Sequence, residues 1–115
     1  MYLTKQQILE AQDRPTKDVE VPEWGGVVRV GTMSGKQRDQ YEQLFVRIRE
    51  GEVDASMRAS LCAVCIVDEN GKTIFTKEDL EALGEKSGRA LGRVFNAATE
   101  LNVLNDKKAE EIKGN

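Results

Sequence analysis

Apolar residues recur along this chain in two rhythms, and each predicts its own kind of element. The first is helical. Thr4 opens the stretch TKQQILEAQ with Gln7 three residues later, a capping-box spacing in which each side chain can satisfy the other's free backbone N–H. The short helix this predicts stops before Asp13-Arg14-Pro15, because proline disfavours helical backbone in the residue ahead of it. The rhythm then changes to period two. Val19 and Val21 alternate with Asp18 and Glu20, and Val28 and Val30 alternate with Val27 and Arg29. Alternation on both sides of Pro-Glu-Trp-Gly-Gly predicts a β-hairpin over 17–31. Gly25 and Gly26 can both adopt positive φ there, and Pro22 can end the first strand because it has no N–H to give to a ladder. Trp24 is expected to fold over one face of the hairpin as a structural clamp rather than as a ligand platform, since an aromatic ring contributes mainly burial area.

From Ser34 the helical period returns. Tyr41, Leu44, Phe45 and Ile48 stand at i, i+3, i+4 and i+7, one amphipathic stripe, and Gly51 supplies a stop. Leu61 to Val67 is nearly continuous apolar sequence, where periodicity cannot separate a buried helix from a buried strand. The favoured reading is a helix from about Ser56 to Cys65 that runs into a strand-like Ile66-Val67. A tight Asp-Glu-Asn-Gly-Lys turn and a short Thr-Ile-Phe return follow, with Asn-Gly suited to a two-residue hairpin loop. Whether residues 66–75 pair as a second hairpin stays open at this level. Thr76 with Asp79 caps the next helix, and Ser87 starts a last one in which Leu91, Val94, Phe95, Ala98 and Leu101 repeat every three or four residues.

The predicted fold class is α+β: a mainly helical small domain with a β-hairpin near its start. At 115 residues it makes one domain, 1–115. It divides into a leading helical segment (1–16), the hairpin (17–31), a helical part (34–104) and a polar tail (105–115) where frayed or mobile backbone is expected.

Composition narrows the function. With 17 basic and 20 acidic residues and no basic block, no nucleic-acid partner is expected, because such binding depends on cations that neutralise phosphates. No apolar run nears the roughly 20 residues a membrane helix needs, so no membrane partner is expected either. The opening MYLTKQQILEAQDRP is broken by charge and amides, unlike a secretory signal, and the chain reads as cytosolic. Histidine is absent, which removes the commonest general base and metal ligand together.

The remaining candidate chemistry is weak. Cys62 and Cys65 have the spacing of redox and zinc pairs, yet no second pair and no histidine can complete a zinc site. They also lie in the most apolar run of the chain, where cysteine behaves as a small hydrophobe. DENGKTIFTKED (68–79) has the look of a calcium loop, but Gly71 stands fourth instead of sixth and Lys72 occupies a ligand position. Glycines near Lys36 and Ser87 match no phosphate-binding loop; Gly84 and Gly88 read as helix punctuation. The expectation is therefore no enzyme, no catalytic residue, no cofactor and no metal.

Two longer segments carry a resemblance. VPEWGGVVRVGTMSGKQRDQYE and CIVDENGKTIFTKEDLEALGEKSGRALGRVFNAATELNVL resemble the tail assembly chaperones of long, non-contractile-tailed bacteriophages and their prophage relatives. In that family an acidic strand ends in Val-Pro-Glu-Trp-Gly, and a second strand leads to a Ser/Thr-Gly-x-x-Arg-Asp helix. A Val-Asp-Glu-x-Gly turn, a Phe-Thr-capped helix and an amphipathic helix ending near Leu-Asn come later. These motifs stand here in the same order over most of 17–104.

The resemblance implies a non-enzymatic partner of the tape measure protein that keeps it soluble and extended and recruits tail tube (major tail) subunits around it. It also implies action in the host cell cytoplasm, absence from the mature virion, and in many relatives a longer form made by ribosomal frameshifting. A homo-oligomer lined up along the client is the expectation. Val94, Phe95, Leu101 and Leu104 are the candidate contacts with another copy or the client, against the alternative that all four pack inside the monomer. The competing function is a structural virion protein such as a tail terminator or head–tail connector subunit, since fold does not fix function. A calcium- or redox-responsive regulator is a third class, disfavoured by the spacings above.

Overall fold

The computed structural model describes residues 1–104, and the predicted polar tail, 105–115, lies outside them. Helix α1 (Lys5–Glu10) forms as the capping box requires: Thr4 Oγ1 accepts the Gln7 N–H at 3.2 Å, and Gln7 Oε1 accepts the Thr4 N–H at 2.9 Å. Strands β1 (Thr16–Val21) and β2 (Gly26–Gly31) then pair antiparallel, with Val19 opposite Val28 and Asp18 opposite Arg29. Register puts Val19, Val21, Val28 and Val30 on the core side, and Val27 and an Asp18–Arg29 ion pair (3.3 Å) on the exposed one.

The turn between the strands is a single 3-10 turn, Pro22–Trp24, closed by Gly25 at φ +74°. Gly25 thus takes the positive φ expected of it; Gly26 does not, because it already lies in extended β2. Trp24 packs half-buried against the core. Arg93 Nε clamps the turn to the last helix, donating to both Glu23 carboxylate oxygens at 2.9 and 3.1 Å.

Ser34 and Gln37 form a second capping box at the start of α2 (Gly35–Arg49), which ends at Gly51 with φ +79°. Ser56 caps α3 (Met57–Cys65), six of whose nine residues are buried. The chain passes directly into β3 (Ile66–Val67), which pairs antiparallel with β2 and completes a sheet of order β1-β2-β3.

The expected Thr-Ile-Phe return shrinks to one bridge, Val67 to Thr73, and Ile74 and Phe75 form no strand. Nor is Asn70-Gly71 the centre of a two-residue loop. Asp68 O accepts the Gly71 N–H at 3.0 Å, and Gly71 takes φ +81° behind that turn, the arrangement of a longer bulged loop. Asp68 dictates this choice: its carboxylate accepts the N–H groups of Asn70 and Lys72 at 2.8 and 3.0 Å.

A 3-10 turn (Lys77–Asp79) leads into α4 (Leu80–Gly84), with the Asp79 carboxylate accepting the Thr76 N–H at 2.8 Å. Gly84 ends α4 where it meets the start of α3; a Cβ there would stand 3.4 Å from the Ser56 Cβ and 3.9 Å from the Ala59 Cβ, within ordinary contact. Helix α5 (Gly88–Leu101) is capped by Ser87 and lies across β1, β2 and α3. Its end is a Schellman motif: Leu104 N–H donates to Thr99 O at 2.7 Å and Val103 N–H to Glu100 O at 3.2 Å. The left-handed position falls on Val103 (φ +54°), a strained choice for a β-branched residue.

The core is the seam between α5, α3 and the inner sheet face, built on Leu61, Val21, Val30, Val94, Cys62 and Cys65, all 0 % exposed. One segment stays outside it. Residues 1–18 are exposed throughout, and the radius of gyration of 15.4 Å exceeds the roughly 13 Å of a compact chain this long.

Candidate functional site

Of the four apolar residues expected to meet a partner, the structure divides one from three. Val94 is wholly inside the core, so it offers no surface while α5 stays docked. The reason is angular: Val94 shares the inward edge of α5 with Ala90, Leu91, Ala97 and Ala98. Phe95, Leu101 and Leu104 sit half-buried on the rim of the same core, with the Arg58 guanidinium 6.0 Å above the Phe95 ring.

Another apolar surface lies on α2. The stripe Tyr41, Leu44, Phe45 and Ile48 forms on α2 as its spacing requires, yet α2 contributes no wholly buried residue. Between α2, α3 and the segment after β3 runs a groove of about 280 Å³, walled by Tyr41, Leu44, Ala63, Val64, Phe75 and Leu80. Gln37, Gln40 and Lys77 stand among its polar lining. Tyr41 and Phe45 meet edge-on at 6.3 Å and stiffen the α2 wall. The sequence carried the signal, since the stripe was visible, but a stripe that fills a core and one that walls a groove have the same spacing.

The second uncovered surface is α1 with the residues ahead of it. Met1, Tyr2, Leu3, Ile8 and Leu9 are all exposed, Tyr2 at 98 % and Leu9 at 74 %. Leu3 and Ile8 occupy the two positions of a hydrophobic staple around the Thr4 cap. The arm is therefore locally ordered without apolar cover from its own chain.

The cysteine pair lies buried, away from these surfaces. Burial pushes both thiols, Cys62 and Cys65, up to about 12, so neither is a thiolate near neutrality. Both are free; Cys62 Sγ lies 3.6 Å from Leu91 O, and Asn102 Nδ2 lies 3.6 Å from Cys65 Sγ. Above pH 9 the unfolded chain releases two thiol protons that the folded chain keeps. Stability is accordingly expected to fall from about pH 9 to pH 12, by up to about 1.4 kcal/mol per pH unit for each thiol. Thermal melts across that range check it, and a Cys62→Ala/Cys65→Ala chain should melt with a flatter pH dependence. Native protein at pH 8 should also resist thiol reagents that label the unfolded chain at once; rapid labelling of folded protein would contradict the buried placement.

The calcium-like stretch is accounted for by its own backbone. The N–H groups of Lys72 and Asn70 hold the Asp68 carboxyl below the usual carboxylate range. At the hairpin turn, the Arg93 guanidinium does the same for Glu23. Among the described residues no three acidic or thiol side chains gather as a metal site would require, and no helix is long and apolar enough to cross a membrane.

Comparison with known proteins gives a family and a fold. A family profile described as phage tail assembly chaperone matches residues 4–114. Among solved structures, the tail assembly chaperone of bacteriophage HK97 shares the fold: TM-score 0.59 and 23 % identity, over 84 % of this chain and 90 % of that one. No curated protein matches.

Proposed function

This chain belongs to the phage tail assembly chaperone family, and from that premise we propose that it binds the tape measure protein reversibly and keeps it soluble. In the same reading it helps to recruit tail tube subunits, through an extended form of the chain where one is made, and it acts by protein contact without catalysis.

The observation that carries this reading is apolar surface left outside a finished core. Leu61, Val21, Val30 and Val94 already close the interior, yet the α2–α3 groove stays open, the arm is bare and the rim of α5 is only partly covered. Surface of that kind marks interaction sites. A long helical client with an apolar face would aggregate if left bare, and amphipathic helices can cover it in the helix-in-groove manner. The client contact is assigned to the α5 rim, Phe95, Leu101 and Leu104, which is partly exposed and braced by the core behind it. Several copies along one client would add weak contacts into firm holding. The work belongs in the host cytoplasm before the tail is complete, and the chain leaves before the particle matures.

Co-expression tests it. The soluble yield of the tape measure protein should rise several-fold beside this chain, and the two should co-purify. An unchanged yield without co-purification overturns the reading. Mass spectrometry of purified particles separates it from a structural role: a stoichiometric amount of this chain in mature virions would favour a terminator or connector subunit.

A further inference from the structure

We propose that the turn after α5, Asn102–Leu104, is a strained latch whose opening frees Leu104, and the core rim beneath it, for the client. The proposal rests on the reading that the α5 rim meets the client, and it adds what controls access to that rim.

Val103 carries the strain. Among the described residues it is the one non-glycine residue with positive φ, whereas Gly25, Gly51 and Gly71 hold the other such positions. Left-handed backbone crowds the Cβ of an L-residue against the following carbonyl, and β-branching worsens the fit. A turn that only had to stop α5 would use glycine, as Gly51 does behind α2. Strain kept at a hinge beside a contact surface holds a segment ready to move.

The residues on either side divide into an anchor and a moving part. Asn102 is the anchor. Its Oδ1 accepts the Met33 N–H at 2.7 Å, its Nδ2 donates to Ala98 O at 2.9 Å, and its backbone carbonyl accepts from Arg38 Nη1 at 3.1 Å. These bonds tie it to α5 and to the β2–α2 junction whatever Val103 does. Leu104 is the moving part, held by its N–H bond to Thr99 O at 2.7 Å and by partial packing on the core. Both depend on Val103 staying left-handed.

Val103 itself is 40 % exposed, so little packing opposes a turn of its backbone. When its φ swings to the negative values ordinary for valine, the strain is relieved, the Thr99 carbonyl turns to water and Leu104 leaves the rim. This is a local opening, a minor state in equilibrium with the closed one. A client that takes up Leu104 and the vacated rim binds only the open state, so its apparent affinity scales with the open fraction.

Amide exchange and client capture on the same variants test the latch. Val103→Gly relieves the backbone and removes only a partly exposed side chain, so the closed state gains. Protection of the Leu104 amide should rise about five- to thirtyfold over wild type. Val103→Ala removes two methyls yet keeps a Cβ in the left-handed position, and its protection should stay within about threefold of wild type. For capture, wild type and a variant with different tags are co-expressed with the tape measure protein and compete for it. Val103→Gly should be captured less than wild type by the same factor found in exchange, and Val103→Ala about equally.

Equal Leu104 protection in all three chains overturns the proposal. So does a glycine chain that is better protected yet captured as well as wild type; the proposed function then stands, because client binding is intact. Wild type that captures no client overturns the proposed function and this access role together, and the exchange measurements tell that failure from a missing latch.

Discussion

Leu61→Ala is expected to lower stability by about 3–5 kcal/mol, the range for truncating a wholly buried leucine in a core that cannot collapse around the gap. Among the described residues Leu61 is the largest side chain fully shielded from water, on the helix that α2, α4 and α5 all contact. Domains of this size have roughly 5–15 kcal/mol in total, so the change would remove a large share of it. A fall in Tm of about 10–20 °C or more should follow in calorimetry. A shift of only a few degrees would mean that α3 is not the centre of the packing. Leu61→Met, which nearly conserves volume, should cost less than about 1.5 kcal/mol and serves as the control.

Asn102→Ala should cost about 2–3 kcal/mol, although it removes little apolar area. Asn102 is 7 % exposed, and its carboxamide joins three parts of the chain. Oδ1 accepts the Met33 N–H at 2.7 Å at the β2–α2 junction, and Nδ2 donates to Ala98 O at 2.9 Å and approaches Cys65 Sγ. Alanine would strand the Met33 N–H in a buried position, and that lost partner accounts for most of the effect. Hydrogen exchange reads it directly, because the Met33 amide should lose protection well before the amides of α3. Equal protection in both chains would show that another group, or water, satisfies Met33.

Neither residue stands out in the sequence in the same way. Leu61 lies in the most apolar run and is an obvious core candidate. Asn102 is an ordinary polar residue past the last apolar repeat, 69 positions from the amide it serves. No local pattern announces a bond of that span, so spacing cannot single out Asn102. The thiols show the converse. Their CxxC spacing invites a chemical reading, the apolar run around them argues against it, and burial in the folded chain agrees with the run.

The sequence alone determined the elements, because the forces that start and stop them act over four or five residues. Thr4 with Gln7, Ser34 with Gln37, Ser56, Thr76 with Asp79, and Ser87 open the helices where their side chains meet free N–H groups. The valine alternation sets the hairpin, and the apolar run from Leu61 breaks from helix to strand where expected. Only the tertiary structure decided which apolar faces are covered. It paired Ile66-Val67 with β2 rather than with 74–75, turned Val94 inward, left the α2 stripe as the wall of an open groove, and left α1 bare. Periodicity fixes that a helix has an apolar face; what covers that face is settled by elements distant along the chain, whose approach leaves no trace in local spacing.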